Sequence, residues 1–196
     1  MLRPRAITLQ TVDTDVNIQA TATRRPVEVG VTAACPYGIS ACWGGAYQAL
    51  SGMEDVDVVR PIPNADDSTA YVYLKNDGLP PINHWTAQFA RTANGTHLLR
   101  GVEVTIDGVV QLQGSNLTLS NDDIGRPLGL APLQAEDKIQ WDHQTGALKP
   151  MQPEEQNAFA DLAALVQQSG GTLKATVTGP LSRMGDALEV RKFASS

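Results

Sequence analysis

Cysteine, histidine and aromatic side chains are scarce in this chain. Of 196 residues, two are cysteine and three histidine, and aromatics make up 5%. Two cysteines are too few for a disulfide scaffold. His84, His97 and His143 are scattered and show none of the ligand spacings of a zinc enzyme. No run of Lys or Arg exists and the net charge is −6, so nucleic acid and anionic membrane are poor partners. No apolar run approaches the ~20 residues that span a bilayer. A Gly-rich phosphate loop, a nucleophile elbow and an HExxH helix are all missing, so the chain is not expected to be an enzyme. Met1-Leu-Arg-Pro-Arg precedes no apolar segment, so no signal peptide is visible. The expected setting is periplasmic or exported if a leader was removed, and otherwise cytoplasmic.

What is present is ordinary for a globular protein: 42% hydrophobic and 18% charged residues. The length gives room for one large or two small domains. Residues 1–25 mix Thr, Asp, Gln and Arg with isolated apolar positions and predict a surface arm, with a short strand at Ala6–Leu9. The alternation from Val27 to Val31 predicts a strand over 26–32. Cys35-Pro36-Tyr37-Gly38 predicts a loop. Ser40 is a fitting N-cap for a helix over 40–51, with Trp43, Ala46, Tyr47 and Leu50 on one face and Gly52 as its stop. Strands follow at Val56–Val59 and Ser68–Leu74. Pro80-Pro81 opens a helix over 82–93 that turns Ile82, Trp85 and Phe89 inward. A strand at 96–104 completes a β-α-β-β-α-β order, that of the ferredoxin-like split βαβ.

Both cysteines lie in the sharpest stretch, VGVTAACPYGISACWGGAYQALSGM. Cys42 falls in the first helical turn and Cys35 in the loop before it. A thiol near a helix N-terminus is biased toward thiolate, which binds soft metals and takes part in disulfide exchange. Two thiolates suit Cu(I), Zn(II) or Hg(II). The same pair also fits a local disulfide, or two buried small side chains. Met53, His84 or His97 is a conceivable third ligand. Packing under the helix end suits Met53 better, a surface place suits His84, and solvent suits His97.

From 26 to 104 the chain resembles the heavy-metal-associated domain of copper chaperones and metal-transporting ATPases. The resemblance rests on VGVT, the Cys-bearing loop, CWGGAYQAL and SGMEDVDVV. It implies a ferredoxin-like fold, a soft-metal site using Cys42 and Cys35, and a metal donor or acceptor protein as partner. The family motif is Cys-x-x-Cys. Aligning Ala49-Leu50 places Cys42 on the second cysteine and Ile39 on the first, and Val31 stands where the family has Met.

Residues 105–196 form the second expected unit, with the strand near 96–112 open to use by both. Gly101–Gly108 alternates and ends in Asp-Gly, a hairpin signal. Short strands follow at 109–112, 116–120, 128–133 and 138–142. Pro153-Glu154-Glu155 opens a helix to Gln168 that buries Phe159, Leu162 and Leu165 or Val166. Strands at 172–178 and 187–193 close the chain. Three β segments, a helix and two strands give the order of an OB-like barrel. KATVTGPLSRMGDALEVRKF resembles the last hairpin of many OB folds. Residues 100–196 carry eight Lys/Arg against twelve Asp/Glu, with Trp141, Phe159 and Phe193 as their only Trp and Phe. A single-strand-binding groove needs the opposite balance. Glu136, Asp137, Asp142 and His143 suggest ordinary loop acids over an acid–base set.

The expectation is therefore an α+β protein, a ferredoxin-like domain followed by an OB-like barrel. Its first functional reading is non-catalytic soft-metal binding or delivery through Cys35 and Cys42. The alternative is a scaffold or protein-interaction module whose cysteines are structural.

Overall fold

The computed structural model describes residues 24–76 and 78–195. The N-terminal arm up to residue 23, with its expected strand at Ala6–Leu9, lies outside the described residues. The chain runs β1 (Val27–Ala33), α1 (Gly38–Ala41), α2 (Trp43–Ser51), β2 (Val56–Val59), β3 (Thr69–Leu74), α3 (Ile82–Ala93) and β4 (His97–Gln113). It continues with β5 (Asn116–Ser120), β6 (Leu128–Pro132), a 3-10 turn (Ala135–Asp137), β7 (Trp141–Asp142) and β8 (Ala147–Leu148). The last elements are α4 (Pro153–Gln168), β9 (Thr172–Pro180), β10 (Ala187–Val190) and β11 (Lys192–Ser195). The fold is mixed α+β, with one large, mostly antiparallel sheet of nine strands and a separate β7–β8 pair.

In the first half the strand order is β4-β1-β3-β2, every neighbour antiparallel. Alternation along β1 sends Val29 and Val31 to one face, where they join Leu50, Trp85 and Phe89 in the core. The helix expected at 82–93 forms over those residues, and Ile82, Trp85, Phe89 and Ala93 are buried at i, i+3, i+7 and i+11. The helix expected from Ser40 instead breaks at Cys42, which ends α1 and starts α2. Restarting the helix at Trp43 resets its inward face. Ala46, Ala49 and Leu50 are buried, while Tyr47 turns outward and meets Trp43 edge-on at 5.8 Å.

β4 is seventeen residues long and connects the two halves of the sheet. Glu103 pairs with Glu28 of β1 on one side and Pro180 of β9 on the other. Val109 pairs with Ser120 of β5 and Lys174 of β9. β1 and β5 thus share one edge of β4, end to end, and β9 runs along the opposite edge. The hairpin expected at Asp107-Gly108 does not form; β4 continues to Gln113 and turns at Gly114. Gly108 serves close approach instead, because a side chain there would run into the Ser120 carbonyl.

The second half continues β4-β5-β6-β10, with β6 and β10 parallel. β9 returns beside β10 and touches it at one bridge, Leu181 to Leu188. A Cβ at Gly179 would overlap the Glu189 carbonyl, so glycine permits that contact. The described strands are not paired continuously into a closed barrel. α4 buries Ala158, Leu162 and Val166 and leaves Phe159 half-buried. Its start follows the sequence: Pro153 opens it, and Gln152 and Glu155 form a capping box.

The segment 133–150 folds back over the face of β1 and β4 that the helices leave open. Its anchor is Ile139, 1% exposed. Gly30 and Gly101 are opposite each other in register, and Ile139 rests in the notch they make. A Cβ on Gly30 would sit 2.8 Å from the Ile139 carbonyl oxygen, and one on Gly101 would sit 2.9 Å from its Cγ2. The 3-10 turn in this segment is held by Glu189, whose Oε2 accepts the Gln134 N–H at 2.8 Å. Burial first, then Asp137 and Glu136 nearby, push the Glu189 carboxyl up to about 7.

Two outcomes follow. Gly30→Val should lower stability by about 1–3 kcal/mol in urea unfolding, because the backbone of Ile139 cannot yield as a flexible side chain would. Glu189 has a folded pKa above its ordinary value of 4.5, so its contribution is full below that value and is lost as pH rises through about 7. Urea midpoints at the two ends of that range should converge in Glu189→Gln relative to the parent chain.

Candidate functional site

Cys35 and Cys42 come together at the end of the sheet where β1 gives way to α1. They are joined as a disulfide, with Cα atoms 6.9 Å apart and seven residues of separation. Both are half-buried. The loop they close makes its turn at Gly38, whose φ of +77° is left-handed. Ile39, the position aligned with the first ligand of the metal motif, is 2% exposed and packs in the core. The bridge explains the helix break: Cys42 is held toward Cys35 with φ −110° and ψ 15°, outside helical geometry.

His97 was expected to face solvent and does not. It is 4% exposed at the start of β4, under the first turn of α2. In the tautomer with the proton on Nε2, that nitrogen donates to the Cys42 carbonyl oxygen at 3.1 Å. Nδ1 lies 2.9 Å from the Thr96 hydroxyl. Burial lowers its pKa, which favours the neutral ring such bonding requires. His97 therefore ties the disulfide loop to β4 through the backbone. A sequence of alternating polar and apolar residues carries no sign of this, because the partner is a carbonyl 55 residues away. His143, from the β7–β8 turn, lies against the same loop: a Cβ on Gly38 would stand 2.9 Å from its Cδ2.

The remaining candidates are placed elsewhere. Met53 is buried below the end of α2. His84 is half exposed on α3, 3.4 Å from Glu54. Asp142 accepts backbone N–H bonds from Gln144 and Thr145 in the β7–β8 turn, which holds its carboxyl below the usual range. The Arg100 guanidinium stacks over the Trp141 ring at 4.2 Å. Asn94 ends α3 in the left-handed region.

Soft-metal chemistry at Cys35 and Cys42 needs thiolates. In the bonded pair neither sulfur carries one, and the His97 nitrogens face Cys42 and Thr96. The oxidised loop does not fit the implied ion, since both sulfurs are tied up in the bridge. Among the described residues no three His, Cys, Asp or Glu side chains converge as a metal cage.

A second polar cluster lies at the junction of the halves. The Glu103 carboxylate, 2% exposed, is gripped by Arg191, whose Nε donates to Oε2 at 2.6 Å and whose NH2 donates to Oε1. Arg191 also reaches Glu155, which accepts from Lys138 Nζ at 2.6 Å. Lys138 donates further to the Pro150 carbonyl. Lys149 and Asp67 pair at 2.7 Å beside them. The Lys149 and Asn64 hydrogen bonds hold the Asp67 carboxyl below its usual range in spite of burial. None of the ion pairs was legible in the sequence, since their partners lie 17 to 88 residues apart.

No family model, curated protein or solved structure matches this chain.

Cys35→Ser with Cys42→Ser should cost about 2–3 kcal/mol in denaturant unfolding, the loop-closure entropy of so short a bridge.

Proposed function

We propose that this chain is a non-catalytic binding module whose cysteine pair is structural. The observation that carries the reading is the Cys35–Cys42 disulfide, backed by burial of Ile39 where the metal motif has a cysteine. The first half is proposed as a ferredoxin-like unit. The strand order β4-β1-β3-β2, antiparallel throughout, with two helical crossovers on one face, supports that. The second half is proposed as an OB-type barrel. Its support is the pairing β4-β5-β6-β10 with parallel β6 and β10, the return of β9 to β4, and the bridge between Leu181 and Leu188. The two units, 26–104 and 105–196, then share β4 as a rigid junction.

In this reading the metal-handling ancestry implied by the resemblance persists as a scaffold, and delivery of Cu(I) or Zn(II) to a protein partner has been given up. A stable bridge fits an oxidising, exported setting. No helix among the described residues is long and apolar enough to cross a membrane.

The test is thiol counting on the natively purified, denatured chain without reductant, followed by anaerobic Cu(I) titration of reduced protein beside Cys42→Ala. The expected result is no titratable thiol before reduction and no stoichiometric Cu(I) uptake that Cys42→Ala abolishes. Two free thiols with such uptake would restore the metal-delivery reading.

A further inference from the structure

Between the open face of the first half and the segment around α4 lies a polar cleft of about 400 Å³, next to a second hollow of about 290 Å³. Glu28, Tyr71 and Lys192 line both. The charges around it are mostly matched: Arg191 with Glu103 and Glu155, Lys138 with Glu155, Lys149 with Asp67. Glu28 and Lys192 are the exceptions among its lining charges. Register puts Glu28 directly between Tyr71 and Glu103. Its carboxylate accepts one hydrogen bond, from the Thr69 hydroxyl at 2.6 Å, and touches no cation among the described residues. Burial, with Glu103 and Asp67 nearby, raises its pKa against the opposing pull of the Thr69 hydrogen bond and the Arg191 charge. The charged form is therefore under-compensated as the cleft stands.

A second, independent group points the same way. Gln140 lines the cleft, is 5% exposed, and its Oε1 has no hydrogen-bond partner. Its amide nitrogen is directed at Glu103, 3.4 Å away, which fixes the oxygen as the free end. A carboxylate with no ion-pair partner and an orphaned carbonyl beside the same Glu103 make a pair of acceptors that lack a cation. The Tyr71 hydroxyl, which bonds no described residue, adds a third polar atom. At the rim stands the exposed Lys192, with no ion-pair partner among the described residues.

We propose that this cleft binds a small molecule carrying a protonated amine, with the ammonium taken by the Glu28 carboxylate and the Gln140 carbonyl. The volume suits a molecule of metabolite size. An anionic group on the same molecule meets Lys192, so an amino acid-like zwitterion is preferred to a simple amine. The inference rests on the reading of the chain as a binding module, but not on the state of its cysteines.

The experiment is calorimetric titration of the full oxidised chain with butylamine, 4-aminobutanoate and butanoate. Both amines are expected to bind saturably, 4-aminobutanoate the tighter, and butanoate not at all. Glu28→Gln should weaken amine binding about tenfold or more, the worth of one charge-assisted contact. Tyr71→Phe, a substitution that keeps the ring, should weaken it a few-fold. It decides the matter should Glu28→Gln fail to fold. Lys192→Ala should erase the advantage of 4-aminobutanoate over butylamine. Absence of saturable amine binding, unchanged affinity in the folded variants, or equal binding of butanoate would overturn the proposal. Such a failure with no free thiol in the chain would strike the cleft alone. Free thiols with Cu(I) uptake would strike the module reading instead.

Discussion

Glu103 is a carboxylate placed where water cannot serve it, and the arrangement of the two halves follows from how that charge is met. It stands at the residue of β4 that faces β1 on one edge and β9 on the other. Arg191, next to the end of β10, supplies a bidentate guanidinium. An isolated buried charge would cost several kcal/mol, and removing one partner of such a pair typically costs about 3–5 kcal/mol. The pairing therefore holds the C-terminal strands against the first half of the sheet. Arg191 in turn orients Glu155, and Glu155 holds both Lys138 and the start of α4. One buried acid thus organises a chain of contacts from the middle of β4 to the covering segment.

That covering segment explains a feature of β1. A half-buried strand has one wet face, yet β1 is buried on both faces from Val29 to Thr32. The helices cover Val29 and Val31, and Ile139 covers Gly30. The glycine pair, Gly30 with Gly101, allows a third layer to approach at backbone distance. The charges that flank Ile139, on Lys138 and across from Gln140, are then forced into a dry junction where they must find partners. Most do. Glu28 and the Gln140 oxygen are what remain, and this is why the junction reads as a place for a ligand as well as a joint.

The disulfide loop is a more local matter. It breaks the helix at Cys42, turns Tyr47 outward, and draws His97 beneath it. Tyr37 is left exposed on the loop. A side chain that resembles a metal ligand in sequence becomes, in the fold, a peg under a backbone carbonyl.

Periodicity alone determined most of the elements. The pattern of Ile82, Trp85 and Phe89 is a helix whatever surrounds it, and Pro153 with two acids starts one at the observed residue. Val56–Val59 and Thr69–Leu74 are strands because β-branched and aromatic residues suit a pleated, half-buried surface. Local signals misled where a distant contact outweighed them. Ser40 is a good cap, but a cross-link to Cys35 moved the helix start. Asp107-Gly108 favours a turn, but pairing with Thr176 and Ala175 of β9 carried the strand through it. His97 alternates like a surface residue, but it is buried against the Cys42 carbonyl that precedes α2. The partners of Glu103, Lys138 and Asp67 were beyond the sequence for the same reason. Electrostatic pairing is set by position in space, and only the tertiary structure brings those charges within a hydrogen bond of one another.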